Sequence, residues 1–472
     1  MEEPFDLIIV GAGSAGLTAA DFAAKLGARV ALVEKRKVGG DCTWLGCVPS
    51  KALIKAAKMA HSVRKASSYG VHVDSAAVDM KQVREYLQQT VQRIYRQELA
   101  LVRSHSRIEL IQGSARFLDL FTIRVGDRKL SGRNFLIATG AQPITPSVPG
   151  YSEAPCVTYE QFFDNDLLPK RLVVLGAGAT GMEMAQAYGR LGAAVTVIDI
   201  SLLPALDPEV GKVMEQVFQR EGIEYVAGMA KSISYETGQF EITLDSEVRQ
   251  KISADFLLTA TGRRPNVVGM DLEKAGVAYG ANGIQVDDKL RTSTKNIYAA
   301  GDCTGGFQMT HYAGWQGYKA VRNILIPGSD RGVRRFPPLA VFTDPEIAHV
   351  GLSEAEARAE HGNNVNVARQ ALEQIDRAVI EGELDGFVKI VHKDNGTLLG
   401  ATIVSPHAGE MITEFVFALR YGLKVRDLAE TMHVYPTYSI GVQQLAADVA
   451  TEKFLSSTVG RVAMRVAGFK LS

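Results

Sequence analysis

A glycine-rich turn between an apolar segment and an alanine-rich segment constrains the fold of this chain more than any other feature. Residues 6–10 are suited to a buried parallel strand, and residues 17–26 to a helix. The turn between them reads Gly11-Ala12-Gly13-Ser14-Ala15-Gly16. The first glycine permits the tight turn, the second lets the backbone approach a pyrophosphate, and the third lets helix and strand pack closely. The helix N-terminus would then present unpaired N–H groups to phosphates.

The segment after this helix completes the pattern of a dinucleotide site. A second strand is expected over residues 29–33, and it ends at Glu34, which Lys35 follows. A carboxylate about 20 residues past the glycines is placed to accept hydrogen bonds from ribose hydroxyls. Strand, glycine turn, helix, second strand and terminal acid together predict a Rossmann-type nucleotide-binding unit.

The same pattern occurs a second time in the middle of the chain. A strand over residues 171–175 leads into Gly176-Ala177-Gly178-Ala179-Thr180-Gly181, a helix to about residue 191, and a strand over residues 194–198 that ends at Asp199. Two such units imply two dinucleotides. A carboxylate at Asp199 would bind an adenosine 2′-hydroxyl and repel a 2′-phosphate, and no arginine follows in residues 200–203. The second site is therefore expected to take NADH in preference to NADPH.

Two of the four cysteines lie close together between these units. They belong to the string Gly39-Gly40-Asp41-Cys42-Thr43-Trp44-Leu45-Gly46-Cys47-Val48-Pro49-Ser50-Lys51, which leads into a helix expected over residues 52–63. Because a helix N-terminus lowers thiol pKa, Cys42 and Cys47 are suited to cycle between dithiol and disulfide. Lys51 lies one helical turn beyond Cys47, where its ammonium could stabilise a thiolate. A static disulfide beside an unrelated surface lysine is the alternative interpretation.

The remaining composition argues against several other classes of protein. Cys156 and Cys303 have no Cys or His partner at zinc-finger spacing, so no metal site is predicted. Lys+Arg and Asp+Glu each total 52, so nothing global attracts nucleic acid or an anionic membrane. No apolar run approaches the roughly 20 residues of a membrane span, and the first strand begins too near Met1 for a secretory leader. A cytoplasmic location is therefore expected.

The cysteine string, placed after a dinucleotide fingerprint, resembles that of the flavoprotein disulfide reductases, which include dihydrolipoamide dehydrogenase, glutathione reductase and mercuric reductase. Further motifs of that family are similar to Ala138-Thr139-Gly140 and Gly262-Arg263-Arg264-Pro265-Asn266. Its second FAD motif is similar to Asn296-Ile297-Tyr298-Ala299-Ala300-Gly301-Asp302. Residues 342–346 and 350–352 resemble the start of its dimerisation domain. The resemblance implies an α/β fold with two Rossmann-like domains, for FAD and NAD(P), and a C-terminal α+β dimerisation domain.

The resemblance also implies domain boundaries and residue roles. The FAD domain would comprise residues 1–150 and 273–336, the NAD(P) domain 151–272, and the interface domain of a homodimer 337–472. Cys47 would touch the flavin, Cys42 would exchange with the acceptor, Lys51 would approach flavin N5, and Glu183 would pair with that lysine. Electrons would pass from the nicotinamide to the flavin and then to the Cys42–Cys47 disulfide. Further cofactor contacts are expected at Gly40, Asp41, Thr139, Gly140, Gly262, Arg263, Gly301 and Asp302, of which the last would hold the ribityl chain.

The chain departs from the family near its C-terminus. Disulfide-reducing members carry His-Pro-Thr-x-x-Glu there, in which the histidine shuttles a proton and the glutamate orients that histidine. Here the string is Tyr435-Pro436-Thr437-Tyr438-Ser439-Ile440, which puts a tyrosine, a poor base at neutral pH, in place of the histidine. His433 could substitute for the missing base, although a packed or surface histidine is the preferred interpretation.

Residues 377–378, 386–389 and 405–410 resemble the mercuric reductase branch. A soft metal ion held by two thiolates needs no proton shuttle, yet this sequence shows neither the C-terminal cysteine pair nor the N-terminal metal-binding domain of those enzymes. The sequence therefore predicts an FAD-dependent NAD(P)H oxidoreductase that passes electrons through Cys42 and Cys47 to a metal ion or small thiol or electrophile. Dihydrolipoamide dehydrogenase is the alternative, and a non-enzymatic redox-sensing flavoprotein is a second one.

The last residues show an amphipathic pattern. Val459, Val462, Val466 and Phe469 fall at helical spacing, beside Arg461, Arg465 and Lys470. Such a helix could lie on a membrane surface. Packing on the partner subunit or on its own domain is the preferred interpretation, as for most amphipathic helices.

Overall fold

The computed structural model describes residues 3–74, 77–246 and 249–469. The chain forms two compact units. The first holds the chain up to Gly176, Ala187–Asp199 and Val226–Arg335, and the second holds Ala177–Gln186, Ile200–Tyr225 and the chain from Phe336. Among the described residues, no helix combines the length and apolar character that a bilayer crossing requires.

The described residues form the following helices and strands. The helices are α1 (Ser14–Lys25), α2 (Gly40–Trp44), α3 (Cys47–Lys65), α4 (Met80–Ser104), α5 (Tyr159–Phe162), α6 (Ala179–Leu191), α7 (Pro208–Arg220), α8 (Thr310–Leu325), α9 (Glu354–His361), α10 (Asp376–Glu381), α11 (Ala408–Tyr421), α12 (Val425–Ala429), α13 (Ile440–Ser456) and α14 (Thr458–Val466). The strands are β1 (Phe5–Val10), β2 (Val30–Glu34), β3 (Ile108–Gln112), β4 (Ala115–Phe117), β5 (Thr122–Val125), β6 (Arg128–Ile137), β7 (Ala141–Pro143), β8 (Val157–Thr158), β9 (Arg171–Leu175), β10 (Ala194–Asp199), β11 (Glu224–Ala227), β12 (Met229–Glu236), β13 (Gln239–Asp245), β14 (Lys251–Ala254), β15 (Phe256–Thr259), β16 (Arg263–Pro265), β17 (Tyr279–Gly280), β18 (Gly283–Ile284), β19 (Ile297–Ala299), β20 (Leu339–Val341), β21 (Glu346–Gly351), β22 (Asn366–Ala371), β23 (Phe387–His392) and β24 (Leu398–Ser405).

The largest sheet has seven strands in the order β3-β2-β1-β6-β5-β4, with β19 beside β6. The pairs of β1 with β2 and β6, of β2 with β3, and of β6 with β19 are parallel. Leu7 and Ile9 of β1 belong to one buried apolar cluster, whereas Ile8 and Val10 belong to another. Both faces of this sheet are therefore covered, which is why β1 is a nearly continuous apolar run.

The predicted elements around the first glycine turn are confirmed, with earlier helix starts. The predicted strand over residues 6–10 begins one residue earlier, at Phe5. The predicted helix over 17–26 begins at Ser14, because Gly13 already occupies the N-cap with an extended backbone. The helix predicted over 52–63 begins at Cys47 and ends at Lys65. The second cysteine is therefore the first residue of a helix, as the pattern predicts.

A second parallel sheet surrounds the second glycine turn. Its order is β11-β10-β9-β15-β8, and β9 pairs in parallel with β10 and β15. The strands predicted over 171–175 and 194–198 are confirmed, the latter extended to Asp199. Phe240, Ile242 and Leu244 of β13 belong to an apolar cluster that also includes Val173 of β9. The predicted α/β class is thus confirmed in the first unit by two separate parallel arrangements.

The second unit is built on an antiparallel sheet with the order β20-β21-β24-β23-β22. Ile403 of β24, Phe415 of α11 and Leu445 of α13 belong to one buried cluster. Helices packed on an antiparallel sheet give the α+β arrangement that was expected for the C-terminal part of the chain.

The helices α1 and α8 approach closely because their facing residues are small. The buried residues of α1 are Ala15, Gly16, Ala19, Ala20, Ala23 and Ala24. A Cβ on Gly317 of α8 would lie only 2.2 Å from the carbonyl oxygen of Ala15. This contact brings α8, which follows the predicted second FAD motif at residues 296–302, against α1, which follows the first glycine turn.

The Gly317→Ala substitution should destabilise the protein, although alanine is a better helix former by about 1 kcal/mol. The new Cβ would meet backbone, which cannot move without separating α1 from α8. We expect a net loss of about 1–3 kcal/mol in the free energy of unfolding, measured by urea denaturation followed by circular dichroism. Gly314→Ala is the matched control, because its Cβ would meet the Thr18 hydroxyl at 3.3 Å. Equal losses in both variants would show that the backbone contact is not the cause.

Candidate active site

The first glycine turn has the close contacts that a dinucleotide-binding turn requires. Gly11 has a φ of +106°, and a Cβ there would lie 2.3 Å from the carbonyl oxygen of Ala138. A Cβ on Gly16 would lie 1.9 Å from the carbonyl oxygen of Gly11. The N-cap residue Gly13 supplies no side-chain hydrogen bond to the first N–H groups of α1, which begins at Ser14. These donors, and the space left by the missing side chain of Gly13, fit the pyrophosphate of a dinucleotide such as FAD.

Glu34 lies at the end of β2, as predicted, and is buried. Its Oε2 accepts a hydrogen bond from the backbone N–H of Ala12 at 2.7 Å, and its Oε1 accepts one from Arg36 at 2.7 Å. The carboxylate therefore holds the glycine turn against the end of β2. Lys35 beside it is exposed. Contacts of Glu34 and Lys35 with a ribose stay predictions.

Two glycines bring the loop of the cysteine pair against this turn. Gly39 has a φ of +101° and Gly40 a φ of +59°, conformations that other residues rarely adopt. A Cβ on Gly40 would lie 2.8 Å from the Cα of Gly13. The cysteine loop therefore lies in contact with the backbone that is expected to face a pyrophosphate.

The two predicted redox cysteines lie in contact. Cys42 is in α2 and Cys47 begins α3, and their thiols are hydrogen-bonded, with no disulfide between them. The Cys47 sulfur also lies 3.1 Å from the hydroxyl oxygen of Thr310, the first residue of α8. Lys51 follows one turn later on α3 and is half-buried. No sequence motif considered above predicts Thr310, which lies 263 positions from Cys47.

The expectation of a lowered thiol pKa is wrong for Cys42. Its pKa is raised above the ordinary value, first by its hydrogen bond to Cys47, then by burial, and then by negative charge on Cys47. The hydroxyl of Thr310 acts in the opposite direction but does not outweigh these effects. Because ionisation of one thiol opposes ionisation of the other, the pair loses its two protons in separate steps.

A carboxyl group from α4 lies near the cysteine pair, and no sequence motif predicts it. The Thr43 hydroxyl donates to Glu98, with its oxygen 2.8 Å from Oε1 and 3.0 Å from Oε2. Burial raises the pKa of Glu98, against the lowering effect of the Thr43 hydrogen bond. The charge of Glu98 in turn contributes to the raised pKa of Cys42. The redox loop therefore has an acid beside it within the same unit.

Arg263 connects the cysteine loop to the predicted second FAD motif. Its Nη2 lies 2.8 Å from Asp41 Oδ2, its Nη1 lies 2.9 Å from Asp302 Oδ2, and its Nε lies 3.1 Å from the Tyr159 hydroxyl. Tyr159 also donates to Asp41 at 3.3 Å. Burial raises the pKa of Asp302, an effect that the guanidinium of Arg263 only partly offsets. The structure thus brings together three predicted site residues and adds Tyr159.

The predicted motifs at 138–140 and 262–266 meet through backbone and side-chain hydrogen bonds. The Thr139 hydroxyl donates to the carbonyl oxygen of Asn266 at 2.7 Å, and the Asn266 amide donates to the carbonyl oxygen of Thr139 at 3.1 Å. Gly140, Gly262 and Gly301 have φ values of +69°, +121° and +78°. These turns require glycine, but their cofactor contacts stay predictions.

The second glycine turn repeats the geometry of the first. Gly176 has a φ of +106°, and a Cβ there would lie 2.5 Å from the carbonyl oxygen of Ala260. A Cβ on Gly178 would meet open space, and Gly181 lies within the first turn of α6. Asp199 is the last residue of β10. The close contact of Gly176 with Ala260 fits the tight turn of a second dinucleotide-binding unit, and the dinucleotide that it would hold stays a prediction.

Glu183 is buried in the second unit. Its Oε1 accepts a hydrogen bond from the backbone N–H of Phe342 at 3.0 Å. One carboxylate oxygen therefore anchors the start of the C-terminal segment. The predicted pairing of Glu183 with Lys51 stays a prediction.

Near the C-terminus, two side chains of the altered family motif have acidic partners. The Tyr435 hydroxyl donates to Asp376 Oδ2 at 2.9 Å, and this bond raises the pKa of the exposed phenol. His433 Nε2 lies 2.8 Å from Glu414 Oε2, and its Nδ1 lies 2.9 Å from the carbonyl oxygen of Thr431. His433 is thus a packed, hydrogen-bonded histidine, in line with the preferred interpretation, and Glu414 is a partner that no motif predicts.

The Glu414→Gln substitution should change stability in a pH-dependent way. Burial lowers the pKa of His433, but the bonds to Glu414 and Thr431 outweigh it, so the net pKa is raised. A raised histidine pKa contributes stability that is fully present below the ordinary histidine pKa and is lost as pH rises through the raised value. We expect the variant to be less stable by about 1 kcal/mol or less near pH ~5.5, and the difference to shrink near pH ~9.

Thermal unfolding at the two pH values measures this difference. Glu410→Gln, an exposed change in the same helix, is the control and should show no such pH dependence. A loss of stability that is equal at both pH values would contradict a role for the charged histidine.

Two profiles of one protein family together cover most of the chain. The family described as pyridine nucleotide-disulphide oxidoreductase matches residues 5–317, and its dimerisation domain matches residues 337–446. The matched segments contain both glycine turns, the cysteine pair and the altered motif around Tyr435.

Relatives that match this chain include enzymes with two different names. A mercuric reductase of Acidithiobacillus ferrooxidans is 35% identical over 470 residues, covering 96% of this chain and 84% of the relative. A dihydrolipoyl dehydrogenase of Thermus scotoductus is 35% identical over 451 residues, covering 94% of this chain and 96% of the relative. Because sequence identity to this chain is the same for both relatives, it favours neither activity.

Solved structures also match over nearly the whole chain. The Cu(II) complex of the HOCl-induced flavoprotein disulfide reductase RclA from Escherichia coli has a TM-score of 0.85 at 28% identity and covers 95% of this chain and 100% of that structure. LpdA from Mycobacterium tuberculosis has a TM-score of 0.86 at 29% identity, with coverage of 94% and 99%. The named relatives are oxidoreductases, which sets aside the non-enzymatic alternative. The chain therefore belongs to the class I pyridine nucleotide-disulphide oxidoreductases, FAD-dependent enzymes that use a pyridine nucleotide.

Proposed function

We propose that this chain is an FAD-dependent NAD(P)H oxidoreductase that reduces a soft metal ion or a small electrophile through Cys42 and Cys47. The contact between these two thiols, in a loop that Gly40 holds against the first glycine turn, carries the proposal. A dithiol beside a dinucleotide-binding turn supplies a two-electron donor at the place where electrons from a bound cofactor would arrive.

The cofactor positions follow from the two glycine turns. The turn of Gly11, Gly13 and Gly16 would hold the FAD pyrophosphate, and Asp302 with Arg263 would lie at its ribityl chain. The turn of Gly176, Gly178 and Gly181 would hold the nicotinamide dinucleotide. When bound, the flavin supplies transfer of two electrons from the reduced nicotinamide to a disulfide.

The residues around the cysteine pair have separate tasks in this proposal. Two electrons and two protons convert the Cys42–Cys47 disulfide to two thiols. Thr310 hydrogen-bonds to Cys47 and would keep that sulfur oriented. The raised pKa of Cys42 keeps it protonated until the acceptor arrives, since a soft metal ion displaces the thiol proton on binding. The ammonium of Lys51 would balance negative charge near the pair.

The altered motif supports an acceptor that needs no proton shuttle. In a disulfide substrate, a leaving thiolate must take up a proton, which the family histidine supplies. Tyr435 stands at that position, donates a hydrogen bond to Asp376, and has a raised pKa, so it would stay protonated at neutral pH and could not accept a proton. Relatives named mercuric reductase, and the Cu(II) complex of a structural neighbour, agree with a metal-ion acceptor.

Dihydrolipoamide dehydrogenase is the second candidate. Relatives of that name match with equal identity, and the hydrogen-bonded pair of His433 and Glu414 lies two residues from the position of the family histidine. If the pair could reach the acceptor, it would supply the missing acid–base function. Lipoamide must therefore be tested beside metal ions.

The proposal is tested by steady-state oxidation of NADH and NADPH with Hg(II) in excess small thiol, with Cu(II), and with lipoamide. We expect Hg(II) to stimulate oxidation, and Cys42→Ser to lower that rate by about 100-fold or more because one of two sulfur ligands and electron carriers is lost. Cys156→Ser, a cysteine outside the pair, is the control and should keep the rate. Faster turnover with lipoamide would select the second candidate, and no stimulation by any acceptor would refute both.

The nucleotide preference rests on Asp199. Its carboxylate would accept a hydrogen bond from the adenosine 2′-hydroxyl of NADH and repel the 2′-phosphate of NADPH. We expect Asp199→Ala to shift the ratio of kcat/KM for NADH over NADPH by about 10-fold toward NADPH. Asp127→Ala, an exposed turn residue, is the control for loss of one negative charge. An unchanged ratio in the Asp199 variant would show that Asp199 does not determine the preference for NADH over NADPH.

The assembly and domain limits belong to the same proposal. The dimerisation domain at 337–446 supports a homodimer, in which the segment around Tyr435 would complete the site of the partner subunit. We keep the predicted limits of 1–150 with 273–336 for the FAD domain, 151–272 for the NAD(P) domain and 337–472 for the interface domain. The cytoplasmic location stays a prediction.

A further inference from the structure

The last described helix, α14, exposes an apolar face. Val459, Val462, Val466 and Phe469 are 74%, 55%, 84% and 60% exposed. The three valines lie three or four residues apart, which puts them on one side of the helix, and Phe469 follows beyond its end. These four residues are called the C-terminal apolar face below.

The opposite side of α14 holds the helix to the chain. Gly460 is buried and Met464 is half-buried. The Ser457 hydroxyl caps α14 by accepting from the Gly460 N–H at 2.9 Å, and it donates to the carbonyl oxygen of Phe454 at 2.7 Å. A Cβ on Gly460 would lie 1.8 Å from that carbonyl oxygen, so α14 packs tightly on the end of α13.

This arrangement corrects the preferred interpretation of the tail in one respect. The side of α14 that packs on its own unit is the side of Gly460 and Met464, and the predicted valine face points away from it. Packing of the valine face on its own domain is therefore wrong for the described residues. Lys470 lies outside the described residues.

The charges beside the apolar face have one sign. Arg461 and Arg465 are exposed, and residues 454–472 contain no aspartate or glutamate. The chain as a whole has zero net charge, so this segment is a local excess of positive charge. On a helix, the two arginines lie side by side along one border of the valine stripe. An exposed apolar stripe bordered by arginines is the pattern of helices that lie at membrane interfaces.

We propose that the C-terminal apolar face, with Arg461 and Arg465, binds the surface of an anionic phospholipid membrane. The valines and Phe469 would insert at the boundary of headgroups and acyl chains, while the guanidinium groups would contact lipid phosphates. The helix would lie in the plane of the surface and would not cross the bilayer, which agrees with the lack of a membrane-spanning helix among the described residues.

A second copy of the chain fits this face less well. The matched dimerisation domain ends at residue 446, before α14 begins at Thr458. Pairing of two α14 helices about a twofold axis would bring like-charged arginines together, with no acid in the segment to neutralise them. Anionic lipid instead supplies the complementary charge. In the proposed homodimer, two such helices would bind the same membrane together, so the overall affinity would exceed that of either helix alone.

The test is cosedimentation of the full-length holoenzyme with vesicles of phosphatidylcholine alone and of phosphatidylcholine mixed with phosphatidylserine. We expect binding to the mixed vesicles, weak binding to phosphatidylcholine alone, and release when salt at ~1 M shortens the screening length to about 3 Å. Arg461→Gln with Arg465→Gln should weaken partitioning by roughly 30-fold at low salt. Val462→Asp with Val466→Asp should abolish binding and leave NAD(P)H oxidation unchanged.

Matched controls separate this site from general effects of charge. Arg96→Gln with Arg103→Gln removes the same charge from exposed positions of α4, and Val268→Asp changes a valine that is 87% exposed elsewhere. Both should bind vesicles like the wild type. Failure of the wild type to bind mixed vesicles, or binding unaffected by the paired changes in α14, would overturn the proposal. A change from dimer to monomer in the valine variant, measured by light scattering, would assign the face to the partner subunit and would also overturn it.

Discussion

The position of the cysteine loop depends on one guanidinium group. Arg263 contacts Asp41, which precedes Cys42, and Asp302, which belongs to the predicted second FAD motif. Its side chain is 27% exposed, so the charge is partly removed from water and needs both acidic partners. Because one rigid group joins the two segments, the cysteine loop cannot shift without disturbing the aspartate expected at the flavin.

Close backbone approach supplies the remaining constraint. The cysteine loop reaches the first glycine turn only because Gly40 has no side chain facing Gly13, and α8 reaches α1 only because Gly317 has none facing Ala15. Added Cβ atoms would meet backbone at these points, and backbone cannot rotate away as a side chain can. The glycines thus set which segments meet, while Arg263 sets how the meeting segments are oriented.

The cysteine pair and the altered motif around Tyr435 differ in how they hold protons. Around the cysteine pair, burial and mutual contact raise the pKa of Cys42, so the reduced pair retains a proton. At the altered motif, Tyr435 is a hydrogen-bond donor to Asp376 where related enzymes carry a base. The Cys42 thiol therefore holds its proton and Tyr435 offers no base, which suits an acceptor that, like a soft metal ion, displaces the thiol proton on binding.

The sequence by itself determined what depends on neighbours along the chain. Both glycine turns, their strands and helices, and the adjacency of Cys42 and Cys47 follow from short-range patterns, because backbone conformation and helical periodicity are local properties. Tertiary structure alone decided which distant groups meet. Glu98 reaches Thr43 from 55 positions away, and Thr310 reaches Cys47 from 263. These contacts, together with burial, shift the pKa values of Cys42 and Glu98, and a local pattern of residues reveals neither burial nor long-range contact.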